Sequence, residues 1–306
     1  MPELPEVETV ARGLQREIAG RRIMSVQLGK TDFIDNPSDV ERELPGRRIR
    51  RVERYGKFLL LRLTQPEQCA GVVEEVPGES ALLVHLGMTG MMKPRPAGEP
   101  HEKHTHVVMP MDDGRELRYV DPRRFGRIAY LSGRVLQDEL QRFGVDPLEV
   151  ASSRFCERMR GRRARVKALL LDQRFLRGVG NIYADESLWK AKIHPAQLGA
   201  QLKMSQAQEL YRALQEILRK AISLRGSSIS DFLDAEGLPG EYQRHHRAYG
   251  REGKGCPRCR TPIQRIIVAG RSSYFCPKCQ KPPRGWKKVG RGKPKRRHRT
   301  SKRVTR

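Results

Sequence analysis

Aromatic side chains are scarce in this chain, at 6% of 306 residues, and hydrophobic residues of all kinds reach only 37%. No apolar run approaches the roughly 20 residues that a membrane-spanning helix needs, so a membrane bundle is excluded while a modest core is not. The start, Met1-Pro2-Glu3-Leu4-Pro5-Glu6, lacks the basic head and apolar centre of a secretory signal. Acidic residues are also few: 35 Asp+Glu stand against 61 Lys+Arg, a formal charge of +26. Such an excess speaks to partners rather than to fold, and it predicts a polyanion as the partner. These deficits point to a soluble intracellular protein that meets nucleic acid. The length predicts about two domains.

The charge is placed unevenly. The last 26 residues, from Lys281 to Arg306, carry 13 Lys/Arg and no acid, which is half of the net charge. Pro282, Pro283, Gly285, Gly290, Gly292 and Pro294 deny this tail regular structure, and its few apolar residues cannot offset the entropy of ordering. A disordered basic tail over 282–306 is expected. It either faces solvent or adds sequence-independent attraction to phosphates by counterion release.

Periodicity sets the rest of the chain in order. Val7, Val10, Ala11, Leu14 and Ile18 share one face of a helix predicted over Leu4–Ala19. Short apolar runs then predict strands at Arg47–Val52, Phe58–Leu63, Ala81–Leu86, Thr105–Met111, Glu116–Val120 and Ile128–Leu131, the pattern of a β-sandwich or barrel-like sheet. Asp113-Gly114 predicts a type I′ hairpin, and Gln65–Ser80, with Pro66, Gly71, Pro77 and Gly78, predicts a loop. From about Leu136 the period is helical. Helices are predicted at Ala164–Leu171 and Asn181–Ala191 around a tight Arg177-Gly178-Val179-Gly180 turn, followed by a long helix capped by Ser205 with Leu210, Ala213, Leu214, Ile217, Leu218 and Ala221 as its stripe. Gly226–Gly255 predicts a long loop around Asp234–Gly240.

Two features carry chemistry. Cys256 and Cys259, and Cys276 and Cys279, form two C-x2-C knuckles with 16 residues between them. Four thiolates satisfy tetrahedral Zn²⁺ and leave no position for water, so one structural zinc ion is expected. Strands at Ile263–Val268 and Ser273–Phe275 would make a hairpin presenting Arg271 outward, while Cys69 and Cys156 read as ordinary buried residues. The second feature is Pro2. With Met1 removed it offers a secondary amine beside the Glu3 carboxylate, and chain-end amines titrate near pH 8, so a useful fraction is neutral and nucleophilic at pH 7.

The Met1–Thr9 start, Arg54-Tyr55-Gly56-Lys57-Phe58, His85-Leu86-Gly87-Met88-Thr89-Gly90, Asp121-Pro122-Arg123-Arg124-Phe125-Gly126, Gly178-Val179-Gly180-Asn181-Ile182-Tyr183-Ala184 and the terminal knuckles together resemble the formamidopyrimidine-DNA glycosylase (Fpg/MutM) family. The resemblance runs from Met1 to about Lys281. It implies an α+β protein: an N-terminal β-sandwich domain with a leading helix (1–135), a helix-two-turn-helix domain with a lesion-binding loop (136–250), a zinc-ribbon finger (251–281) and the basic tail.

It also implies a bifunctional DNA-repair enzyme, a glycosylase and abasic-site lyase acting as a monomer on double-stranded DNA that contains oxidised purines or abasic sites. Pro2 would attack C1′ of the damaged nucleoside, Glu3 would shuttle protons, Lys57 would contact phosphate and donate a proton in elimination, and Arg271 would clamp phosphates. Extraction of a base from the duplex requires flipping. The resemblance assigns Met88, Arg123 and Phe125 to the gap so created, with Arg123 facing the orphaned base, and assigns His104, Arg163 and Asn181 to the DNA backbone. His245 and His246 receive no role. Two competing readings are an endonuclease VIII-type enzyme for oxidised pyrimidines and a non-enzymatic zinc-ribbon binder. The Met-Pro-Glu start and the void-filling trio oppose the first, and Pro2, Glu3 and Lys57 together oppose the second.

Overall fold

The computed structural model describes residues 1–64, 79–229, 232–283 and 285–286. The expected helix forms as α1 (Leu4–Ile18), and its apolar stripe is buried as predicted. Val7, Leu14 and Ile18 are each fully excluded from water, a contribution of roughly 1.5–3 kcal/mol per side chain. Two sheets follow. One is five-stranded, in the order β2 (Ile34–Asp35), β9 (Arg127–Ser132), β5 (Ser80–His85), β4 (Phe58–Leu63) and β3 (Ile49–Tyr55). The other is four-stranded, in the order β1 (Gln27–Leu28), β7 (Thr105–Pro110), β8 (Arg115–Val120) and β6 (Met91–Pro96). A core that includes Leu14, Leu61, Val84, Met109 and Leu117 joins α1 to both sheets.

The structure departs from the sequence expectations in several places. Strand β6 is absent from them, because Pro94 and Pro96 read as breakers; it lies at the edge of its sheet, where a missing N–H is tolerated. The very short β1 and β2 have no sequence signal either, and α2 (Pro37–Glu43) is a further addition. The Asp113-Gly114 hairpin forms, but among its turn residues only Gly114 has positive φ (+78°), so it is not type I′, which needs two. Of the expected 65–80 loop, residues 65–78 and Cys69 lie outside the described residues, and Ser80 opens β5. The tail beyond 286 lies outside them too.

The helical part contains α3 (Gly133–Gln141), α4 (Ser152–Met159), α5 (Val166–Leu171), α6 (Asn181–Lys190) and α7 (Met204–Ser223). The stripe predicted on α7 is buried, but Ser205 is not its cap. Lys203 is, with its N–H donating to Gln206 Oε1 at 3.0 Å, so a side chain inside the first turn supplies the acceptor. Leu4, at the head of α1, packs into this helical core rather than into the sandwich. The finger is the hairpin of β10 (Gln264–Val268) and β11 (Arg271–Phe275), paired antiparallel. Arg271 is therefore the first residue of β11, next to the Ala269-Gly270 turn. Among the described residues no helix is long and apolar enough to cross a membrane.

Candidate active site and nucleic-acid face

Two backbone turns meet at the start of the chain. Strands β3 and β4 are joined by Gly56 and Lys57 alone, with Gly56 at φ +63°, the conformation a tight hairpin requires of its first central residue. A side chain at Gly56 would press on Arg177 Cβ at 3.1 Å, and one on Gly178 would meet Leu4 at 2.9 Å. Gly178 also accepts a hydrogen bond from Leu4 N at 3.0 Å. The absence of side chains at these turns thus lets the Lys57 hairpin, the chain start and the α5–α6 turn touch.

Glu3 lies at their junction, buried at 4% exposure. Its carboxylate accepts from Gly180 N at 2.9 Å and Ile182 N at 3.0 Å, so the open end of α6 holds it. Backbone N–H groups and the helix dipole both favour negative charge there. Gly180 has no room for more than hydrogen, since a Cβ would stand 2.3 Å from Glu3 Cδ. Pro2 is buried beside it, preceded by a half-exposed Met1.

One turn along α1, Glu6 is a functional candidate that the sequence does not single out. It accepts from Glu3 N at 2.8 Å, Ser227 N at 2.6 Å and the Tyr183 hydroxyl at 2.5 Å. Burial, reinforced by the negative charge of Glu3, pushes its carboxyl up to about 7 against the pull of those three donors. The available signal is the Glu3–Glu6 spacing, which is that of a reciprocal helix cap. Burial also drives Tyr183 above its ordinary range, so its hydroxyl remains a donor. Ser227 continues the contact to His246, Oγ to Nε2 at 3.1 Å, which puts one of the two unassigned histidines at the edge of this network.

Lys57 is 9% exposed, and burial pushes its ammonium down, opposed by the carboxylates of Glu3 and Glu6 and assisted by the positive charge of Arg271. Glu3, Glu6 and Arg271 are therefore each close enough to act on Lys57 electrostatically. His85 lies within reach of Lys57 and the chain start, and burial first, then those charges, hold it neutral with its pKa down to about 4.

Arg271 itself is exposed, but its strand is pinned from beneath. Lys167 Nζ donates to Ser272 O at 2.7 Å and pairs with Asp185 Oδ1 at 2.7 Å, and Asp185 Oδ2 accepts from Tyr274 N at 3.0 Å. Both charged side chains are fully buried. Lys167 ends the basic run from Arg160 that otherwise faces solvent, and no local pattern distinguishes it.

Met88 and Phe125 stand out at 41% and 56% exposure, unusual for apolar side chains of their size, on loops leaving β5 and β8. The Arg123 guanidinium stacks 4.5 Å from the Phe125 ring centre. His104 is exposed and strained at φ +71°, and its carbonyl accepts from Asp121 N at 3.1 Å, which sets it against the Arg123 loop. Arg163 is exposed on the loop before α5, and Asn181 is the first residue of α6 with a buried Oδ1 that has no partner. None of these side chains makes a described hydrogen bond to Glu3 or Lys57, although Asn181 lies between the two residues whose N–H groups hold Glu3.

In the finger, the sulfurs of Cys256, Cys259, Cys276 and Cys279 all lie within 4.8 Å of one another. Cys259 and Cys276 are 3.4 Å apart, and Cys259 and Cys279 are 3.5 Å apart. Those separations far exceed a disulfide bond and approach the edge of about 3.8 Å that a tetrahedron with 2.3 Å zinc–sulfur bonds requires. Trp189 Nε1 donates to Cys256 at 3.5 Å and Cys279 N to Cys276 at 3.4 Å, contacts that favour thiolates. The four cysteines fit one zinc ion. Cys156 is buried and stands apart from them, as expected.

Comparison with known proteins matches three successive stretches of the chain. Residues 1–128 match the family model for the formamidopyrimidine-DNA glycosylase N-terminal domain, 143–233 that for the H2TH domain of the same enzyme, and 253–282 a zinc finger found in FPG and IleRS. A formamidopyrimidine-DNA glycosylase of Herpetosiphon aurantiacus is 43% identical over 285 residues, covering 92% of this chain and 100% of the relative. One from Solibacter usitatus is 43% identical over 283 residues with the same coverage. Among solved structures, a variant of Lactococcus lactis Fpg bound to DNA containing Fapy-dG superposes with a TM-score of 0.81 at 35% identity, covering 92% of this chain and 100% of the other. The same enzyme bound to DNA with an abasic site gives 0.80 at 35% identity and the same coverage.

Proposed function

The chain belongs to the formamidopyrimidine-DNA glycosylase family, and from that premise we propose that it excises oxidised purines, among them 8-oxoguanine and formamidopyrimidines, from double-stranded DNA and then cleaves the abasic strand. Residues 1–135 carry the chemistry, 136–250 and 251–281 grip the DNA, and 282–306 add charge. The place of work is the nucleoid of the cytoplasm.

The observation that carries this reading is the seat of Glu3: a carboxylate fixed by two helix-end amides, adjacent to the residue that becomes the chain terminus and within electrostatic reach of Lys57, on which Arg271 also acts. After loss of Met1, the neutral Pro2 nitrogen forms a bond to C1′ as the bond from C1′ to the base breaks. Glu3 takes the proton that the Pro2 nitrogen sheds on attack and passes it to O4′ as the sugar ring opens and leaves an iminium at C1′, while the departing base takes a proton from water. The iminium draws electrons from the C2′–H bond. A base removes that proton, and the 3′ phosphate leaves, then the 5′ phosphate after a second proton loss. Lys57, whose proton is loosened by burial, is suited to giving one up at a leaving phosphate, and Arg271 to neutralising its charge.

The nucleotide reaches the site by flipping, and Met88, Arg123 and Phe125 fill the space behind it, two apolar wedges and a cation on an unstacked step. His104, Arg163 and Asn181 hold the backbone, Asn181 from the N-terminal end of α6. Zinc supplies structure, holding the hairpin that carries Arg271.

Borohydride trapping tests the mechanism. Protein with a free Pro2 should give a covalent adduct on an 8-oxoguanine:cytosine duplex, and protein extended by one residue ahead of Pro2 should give none. An adduct of equal yield from the extended protein would refute the role of the terminal amine.

A further inference from the structure

We propose that Asp121 is a positioning residue that locks the Met88 loop and the Arg123–Phe125 loop into a single insertion unit. This rests on the reading of those three side chains as void fillers.

Asp121 follows β8 and is fully buried. Each of its carboxylate oxygens accepts from two directions. Oδ1 takes the Thr89 hydroxyl at 2.6 Å and Arg123 N at 3.2 Å; Oδ2 takes Gly126 N at 3.0 Å and the Tyr119 hydroxyl at 3.3 Å. Thr89 is the neighbour of Met88, and Arg123 N and Gly126 N bracket Phe125. One side chain therefore fastens the base of one wedge to both flanks of the other.

The glycines of the two loops describe the same joint. A Cβ on Gly87 would stand 2.4 Å from the carbonyl carbon of Phe125; one on Gly126 would stand 1.9 Å, and one on Gly90 2.5 Å, from the Tyr119 hydroxyl. The loop bases are thus pressed together around Tyr119 and Asp121 while Met88, Arg123 and Phe125 project from them. Insertion into a base stack places three side chains at once. If the loops moved separately, each would have to be ordered at that moment; a shared anchor orders them beforehand.

The chemistry selects aspartate over its amide. All four partners of the carboxylate act as donors, and an asparagine would turn an N–H₂ toward either Arg123 N or Gly126 N, so that one flank of Phe125 loses its acceptor. Thr89→Val removes only the bond between loops and keeps the shape.

Excision of 8-oxoguanine from a duplex, which requires insertion, can be compared with strand cleavage at a preformed abasic site in single-stranded DNA, which does not. Asp121→Asn and Thr89→Val should each slow single-turnover excision about tenfold, the effect of one lost hydrogen bond, and leave single-strand cleavage within about twofold of the parent. The rise in 2-aminopurine fluorescence beside the lesion should slow in parallel. Unchanged duplex excision in Thr89→Val would overturn the coupling, and so would an equal fall on both substrates, the mark of a residue that matters only for folding. Parent protein that releases no damaged base would overturn the glycosylase reading itself, a result distinct from either.

Discussion

Replacing Gly180 with alanine isolates the geometry of Glu3 without replacing any reacting group. Gly180 has φ −129° and ψ −160°, a conformation alanine adopts freely, so backbone strain is absent. The added methyl is the whole perturbation. Its ideal position is 2.3 Å from Glu3 Cδ and 2.5 Å from Oε1, whereas ordinary contact begins at 3.4 Å; the carboxylate must retreat by 3.4 − 2.3 = 1.1 Å. A retreat of that size strains or breaks the bonds from Gly180 N and Ile182 N, now 2.9 and 3.0 Å long. A misplacement of about 1 Å in a catalytic group is worth roughly 10²-fold in rate, or about 2.7 kcal/mol of barrier. Single-turnover excision on an 8-oxoguanine:cytosine duplex should therefore fall by about that factor, with binding to a stable abasic analogue retained. Gly98→Ala is the control, because nothing lies within 4 Å of its Cβ. If the Gly180→Ala protein melts like the parent and excises within about threefold of its rate, Glu3 is not the proton donor held by α6.

Other consequences are open to measurement. Because the folded Glu6 carboxyl titrates at about 7 rather than 4.5, folding takes up a proton between those values, and stability should drop as pH climbs through that window. The drop is on the order of 3 kcal/mol, and Glu6→Gln should flatten it in denaturant titrations; an unchanged slope would assign the pH dependence elsewhere. Cys276→Ser should release zinc, visible as a fall in metal content, and weaken DNA binding; full metal retention would contradict the four-cysteine site. Removing residues 282–306 should reduce the slope of log K against log salt by about 0.9 for every phosphate that the tail neutralises, and an identical slope would make the tail a bystander.

Much of the functional chemistry is legible in the linear chain. The paired cysteines, the face of α1, the helix after Gly180, and the apolar residues in glycine-bounded loops are all local patterns. Their spacing along the backbone already determines where their side chains point, because helices and hairpins impose fixed periods. The zinc ligands and the pairing of Pro2 with Glu3 follow from such patterns, whereas Lys57, Met88, Arg123 and Phe125 follow only from the resemblance to the glycosylase family. Strand β6 and the α7 cap do not, for a related reason: a proline or serine reads alike whether it lies at a sheet edge or beside a competing acceptor.

Tertiary structure alone decides which of these meet. Glu3 is held by Gly180 and Ile182, 177 and 179 positions away, and Lys167 emerges from a solvent-facing basic run to support the strand of Arg271. Glu6 acquires its raised pKa from burial that no neighbour in sequence supplies. Asp121 looks like any turn aspartate until Thr89 is brought to its carboxylate from another loop. Burial and long-range hydrogen bonds depend on how whole sheets and helices close over one another, so they enter only once the layers have packed.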